Sequence, residues 1–161
     1  MRFGYAAAAG AMVLATACGG GRNASAEDTS AAAIAVSADT VVVYKTPTCG
    51  CCNAWVDHVR ENGFAVVTHD MSDAELAVRK GDLGVPAGRI SCHTATVRGY
   101  VVEGHVPADL IQRMIDERAA IRGLTVPGMP MGSPGMEGLI KQDYEVLAFD
   151  STGAVTVYAK R

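Results

Sequence analysis

The chain has no run of lysines or arginines, and its net charge is only −3 over 161 residues. Phosphate backbones are bound by clustered positive charge, so nucleic acid is not an expected partner. No Ser–His–Asp set, phosphate-binding glycine loop or paired-carboxylate motif stands out, and no internal repeat is apparent. The apolar run from Gly4 to Ala17 is too short for a membrane-spanning helix, which needs about 20 residues. What is present is a hydrophobic content of 49%. That is enough to build a core, and the length suits one domain, since compact domains run to roughly 100–200 residues.

The N-terminus has the layout of an export signal. Met1-Arg2 supplies one positive charge, and a small-residue apolar run follows, ending at Leu14-Ala15-Thr16-Ala17-Cys18. A cysteine directly after small residues resembles a bacterial lipobox, in which Cys18 is acylated and becomes the mature N-terminus. Ala15 stands where leucine is more usual. The other reading is ordinary cleavage near Ala17 or after Ala24-Ser25-Ala26, which leaves Cys18 without a role. Arg2 is the one charged residue in 1–17, so its removal leaves a net charge of −4. The expected organisation is a lipoprotein-type signal peptide at 1–17, a flexible tether at 18–32 and a folded domain at 33–161. The expected location is the periplasm, with membrane attachment through the N-terminal lipid alone. Disulfides are common outside the cytosol, so thiols there are paired, metal-bound or actively reduced.

Within the domain, Thr40 to Tyr44 is a short β-branched run and reads as a buried strand, broken by Thr46-Pro47-Thr48. A helix is expected from Cys52, with Trp55, Val56 and Val59 on its buried side and Gly63 at its C-terminal cap. Phe64 to Thr68 reads as a second strand. Ser72 or Asp73 caps a helix through Lys80, and Gly84-Val85-Pro86 turns the chain. Thr94–Val97 and Tyr100–Val102, split by Arg98-Gly99, form a hairpin. Pro107 opens a helix with Leu110, Ile111, Met114 and Ile115 inward. Residues 123–138, rich in glycine, proline and methionine, read as a loop. Tyr144–Phe149 and Ala154–Tyr158 close the chain as a hairpin. The expected class is α/β: a single thioredoxin-like domain with a cysteine loop at a strand-to-helix junction.

The chemistry gathers at Lys45-Thr46-Pro47-Thr48-Cys49-Gly50-Cys51-Cys52. Cys49 and Cys52 have C-x-x-C spacing at a strand end and helix start, where helix N–H groups and dipole favour thiolate. They are the redox candidates. Cys51 adds a third sulfur that a dithiol enzyme does not need, whereas three sulfurs in one turn suit a soft cation such as Cu(I). Cys92 is a candidate fourth ligand, with His93 beside it and His105 ahead of Pro107 as weaker candidates. Met129, Met131 and Met136 lie in a loop at non-helical spacing. They either lid the core or offer thioethers to Cu(I), a ligand type that separates copper from zinc. Trp55 reads as core, and His58 and His69 as surface or helix-face residues. Other readings stay open: a metal-independent thiol–disulfide oxidoreductase or arsenate-reductase-like enzyme using Cys49 and Cys52, and a structural zinc or iron–sulfur module.

The blocks Val43–Cys52 with Trp55, Ser91-Cys92-His93-Thr94-Ala95, Gly99 to Pro107 and Val126-Pro127-Gly128-Met129-Pro130 resemble the bacterial copper-resistance proteins called CopG, a family long labelled a domain of unknown function. The similarity covers roughly residues 40–150. The resemblance implies a periplasmic thioredoxin-like protein that binds copper through the C-x-C-C cysteines and a fourth cysteine, here Cys49, Cys51, Cys52 and Cys92. It also implies interconversion of Cu(I) and Cu(II) in copper resistance, with copper ions as ligand and a periplasmic copper carrier or electron donor as partner. Four thiolates carry more charge than one Cu(I) neutralises, which favours several ions sharing bridging sulfurs.

Overall fold

Valines at alternate positions open the first strand of the structure, a computed structural model that describes residues 39–161. In β1 (Val41–Lys45) the inward residues Val41 and Val43 are fully buried, as period-2 alternation requires. The signal peptide expected at 1–17, Cys18, the tether expected at 18–32 and the expected start of the folded domain at 33 lie outside the described residues. The remaining elements are α1 (Gly50–Glu61), β2 (Val66–Asp70), α2 (Asp73–Asp82), β3 (Thr94–Val97), β4 (Tyr100–Glu103), α3 (Ala108–Asp116), β5 (Gly123–Thr125), β6 (Glu145–Phe149) and β7 (Val155–Lys160). Together they form one α/β domain around a mixed seven-stranded sheet ordered β2-β1-β3-β4-β5-β6-β7. The parallel pairs are β1 with β2 and β4 with β5; the other neighbours are antiparallel.

The helices follow from apolar spacing. Cys52, Trp55, Val56 and Val59 make the buried stripe of α1. Leu110, Ile111, Met114 and Ile115 do the same for α3, as the sequence led us to expect. Ser72 caps α2 in a full capping box with Glu75. Arg98 and Gly99 both take positive φ in the turn between β3 and β4, which suits a tight hairpin.

Several boundaries differ from the sequence reading. Helix α1 starts at Gly50, with Cys49 as its N-cap, so two of the clustered cysteines lie inside its first turn. The second strand is shifted to Val66–Asp70, α2 runs on to Asp82, and Pro107 is the N-cap of α3 rather than its first residue. The largest correction is at 123–138, where the expected loop begins with a strand. Gly123–Thr125 is fully buried between β4 and β6. A Cβ at Gly123 would run into the Val101 carbonyl and come within 2.9 Å of the Phe149 ring, so glycine here permits a close strand approach.

Two polar features hold the layers together. Lys80 and Glu103, both buried, form an ion pair at 2.6 Å; Lys80 also donates to Thr94 Oγ1 at 2.8 Å. Burial pushes the Glu103 carboxyl upward, while the Lys80 ammonium and hydrogen bonds from Lys80, Thr94 and the Ser91 backbone act against that shift. Pro107 offers α3 no side-chain cap, and the N–H of Ala108 donates instead to His58 Nε2 of α1 at 3.1 Å. His58 therefore has a joining role that its sequence context did not reveal. Burial lowers its pKa, and acidic neighbours led by Glu137 oppose the shift.

Two outcomes follow. Glu103→Leu leaves Lys80 buried without its partner and should cost about 3–5 kcal/mol, whereas Lys80→Met/Glu103→Leu should recover much of that loss; chemical denaturation of both variants checks this. His58→Ala should cost about 0.5–2 kcal/mol as a lost cap. The folded state takes up the His58 proton less readily than the unfolded chain, whose histidine titrates near about 6.5. This contribution is therefore complete above that pH and is lost as pH falls through the lower folded value. Denaturation at pH 7 and pH 5 should show a smaller acid-induced loss in His58→Ala than in the wild type.

Candidate metal and redox site

Strand β1 delivers the cysteine turn to the end of the sheet. Lys45 anchors the exit through its ion pair with Asp70 at 2.7 Å, and Met71 N–H donates to the Lys45 carbonyl at 3.0 Å. The chain then turns, with Cys49 N–H donating to Thr46 O at 3.3 Å, and enters α1. No acidic residue occupies the first turn of that helix, so its positive end is left to the sulfurs. Cys52 is fully buried beside Trp55; Cys49 and Cys51 are half-buried.

Cys49 and Cys52 are joined by a disulfide, with Cα atoms 5.3 Å apart. The structure thus records the two redox candidates in their oxidised form, and metal ligation by both requires reduction first. Cys51 and Cys92 are free. Cys51 Sγ lies 3.6 Å from Cys49 Sγ and 3.9 Å from Met129 Sδ. All four sulfurs, Cys92 included, fall within 4.8 Å of one another.

Cys92 reaches this cluster because its neighbours are pinned. Ser91 N–H donates to Glu103 Oε1 at 2.6 Å, and its hydroxyl donates to the Gly128 carbonyl. Gly128 N–H returns to Ile90 O at 3.2 Å. Gly104 packs underneath with φ +72, where a Cβ would stand 2.5 Å from the Ser91 side chain and 2.7 Å from Val126 O. Glycine is required there on both counts. Burial pushes the Cys92 thiol up to about 11, and Cys51 adds to the shift. An uncharged thiol is what a buried sulfur adopts without a cation, and a bound metal ion reverses that preference.

Hairpin register brings two histidines to the same sulfur. Thr94 pairs with Glu103, so His93 and His105 flank the open end of β3 and β4. Cys92 Sγ is 3.0 Å from His105 Nε2 and 3.4 Å from His93 Nδ1. His105 Nδ1 donates to Pro134 O at 2.7 Å, which leaves the Nε2 lone pair facing Cys92. Burial lowers the pKa of both rings; for His93 the charges of His105 and Lys80 add to that effect. Neutral imidazole is the form that ligates metal. His93 Nε2 is buried with no hydrogen-bond partner among the described residues, and its ring lies 4.4 Å from that of Trp55. Cys92, His93 and His105 form a second potential ligand group that shares Cys92 with the first.

The methionine-rich loop covers this site unevenly. Met129 faces Cys51 and is half-exposed to solvent. Met131 is held through its backbone by Gln142, and its methyl end lies towards Gly138. Met136 exchanges backbone hydrogen bonds with Gly132 and Ser133. Gly135, at φ +82, seats the loop on α1: a Cβ there would be 2.6 Å from Cys51 O and 2.7 Å from Trp55 N. Of the remaining candidates, Trp55 is core, as expected, and its Nε1–H donates to Val106 O at 2.9 Å. His69 stacks on Tyr44 and belongs to neither group of potential ligands.

A family model described as a protein of unknown function, DUF411, matches residues 89–136. No curated protein matches the chain. Two solved structures of a copper resistance protein CopG, form 1 and form 2, are each 42% identical to it over 76% of its length. The chain covers 96% and 97% of those proteins, with TM-scores of 0.70 and 0.71. With its cysteine cluster, its fold and this similarity, the chain belongs to the CopG family of copper resistance proteins.

Proposed function

We propose that this chain is a periplasmic copper-binding protein of copper resistance that holds Cu(I) in a multinuclear cysteine-thiolate site. The observation that carries this reading is the meeting of Cys49, Cys51, Cys52 and Cys92 within 4.8 Å at the start of α1. Soft monovalent copper prefers thiolate and thioether donors, and Met129 stands beside Cys51. The ring nitrogens of His93 and His105 beside Cys92 extend the donor set towards nitrogen, which Cu(II) accepts. Met131 and Met136 belong to the proposal as outer donors. The export signal and an acylated Cys18 complete it by placing the site outside the cytosol.

Redox turnover has a balanced form in this site. The Cys49–Cys52 disulfide takes two electrons, one from each of two Cu(I) ions, and yields two thiolates and two Cu(II) ions. An electron acceptor in the same compartment would then take two electrons from the Cys49 and Cys52 thiolates and restore the disulfide. The sheet order β2-β1-β3-β4, with a C-x-x-C pair at the β1–α1 junction, supports a thioredoxin-like origin for this chemistry.

The observed disulfide also favours a second reading, a metal-independent thiol–disulfide oxidoreductase with Cys49 as nucleophile and Cys52 as resolving sulfur. The two readings differ over Cys51. Anaerobic Cu(I) titration of the reduced protein, with metal analysis, should give several copper ions per chain and fewer in Cys51→Ser. Stoichiometry unchanged by that substitution rejects the cluster. Zinc or iron recovered in place of copper from protein loaded in the periplasm would point to a structural module instead.

Gly135→Ala tests the role of the covering loop. It should weaken Cu(I) affinity by about tenfold or more, the scale seen when groups supporting a metal site are disturbed. Competition with a chromophoric chelator measures this. Unchanged affinity would separate the loop from the site.

A further inference from the structure

Of the four clustered sulfurs two are bonded, and the remaining two, on Cys51 and Cys92, are free and half-buried. They lie within 4.8 Å of each other. They arrive by independent routes: Cys51 is fixed in the first turn of α1, and Cys92 by the hydrogen bonds of Ser91 to Glu103 and Gly128. A disulfide brings its sulfurs to about 2.05 Å, so closing the bond takes a further approach of less than about 3 Å from this separation. We infer that Cys51 and Cys92 are a second redox couple, closing to a disulfide beside Cys49–Cys52.

The oxidant class is a small disulfide. The Cys51 thiolate, at the helix start beside exposed Met129, attacks one donor sulfur and expels the other as a thiolate. The Cys92 thiolate then attacks the Cys51 sulfur of the mixed disulfide and releases the second donor thiolate. Cys51 and Cys92 together lose two electrons, the donor gains two, and the two cysteine protons pass to the donor thiols. The competing partner for Cys51 is Cys49, whose sulfur is 3.6 Å away, but that sulfur is already committed to Cys52. With both couples closed the cluster holds no thiolate, so a soft cation is released on full oxidation. This last consequence rests on the copper reading above; the couple itself does not.

Trypsin separates the participants, because Cys49, Cys51 and Cys52 lie in the peptide 46–60 and Cys92 in the peptide 90–98. The full chain is reduced, stripped of metal, treated with excess oxidised glutathione, acid-quenched, alkylated and digested without reductant. The expected product is the two peptides joined, lighter than their reduced sum by the hydrogens of two disulfides. Cys51→Ser should abolish the joined product and return Cys92 in an unjoined peptide, as an alkylated thiol or as its mixed disulfide with glutathione. Wild type in which Cys51 and Cys92 are both alkylated overturns the couple, as does a joined product that survives in Cys51→Ser. Cu(I) titration of the same reduced sample keeps the two ideas apart. Copper bound without the joined peptide rejects the couple and leaves the metal reading; the joined peptide without bound copper does the reverse.

Discussion

Ser91 gives its backbone N–H to Glu103 at 2.6 Å and its hydroxyl to the Gly128 carbonyl, and the placement of Cys92 depends on those two bonds. Glu103 can accept from Ser91 because it is itself held by Lys80 and Thr94 in a buried, fully partnered group. Gly128 leads directly into Met129, so the same serine registers the methionine-rich loop over Cys51. A cysteine far along the chain from the C-x-C-C turn is thereby brought within 4.8 Å of it. An unpaired charge in the Lys80–Glu103 group would cost several kcal/mol, which makes this part of the domain resistant to drift.

The proposed function asks the site to combine two demands that ordinarily conflict. A thiolate cluster for a soft cation needs free sulfurs, while a redox dithiol spends part of its time bonded. Here Cys49 and Cys52 are bonded and the other two sulfurs are not. Burial and the proximity of Cys51 disfavour charge on Cys92 in the metal-free state. A cation supplies the compensating charge, so occupancy and deprotonation are coupled. The opposite side of the cluster is the N-terminus of α1, whose first turn carries no acidic residue.

Much of this was legible in the sequence because it is local. The valine run of β1, the i, i+3, i+4 stripe of α1 and the apolar face of α3 are each read from neighbours in the chain. The C-x-C-C turn is equally local. What escaped depends on tertiary contacts. Gly123–Thr125 is too short to show periodicity and starts with glycine, yet strands on both sides make it a buried strand. His58 looks like any helix-face residue until α3 presents an uncapped N–H to it. Lys80 and Glu103 stand 23 residues apart in the chain, and only folding reveals them as partners. The histidines at 93 and 105 were visible as candidates, but the hairpin register is what sets both against Cys92.

The central claim is that sulfur from these cysteines holds copper. X-ray absorption at the copper edge, on reduced protein loaded anaerobically with Cu(I), tests it most directly. The account predicts a first shell dominated by sulfur, with copper neighbours at short range from bridging thiolates, and loss of that copper–copper feature in Cys51→Ser. A first shell of nitrogen and oxygen alone, or a sulfur shell indifferent to Cys51 and Cys92, would contradict it.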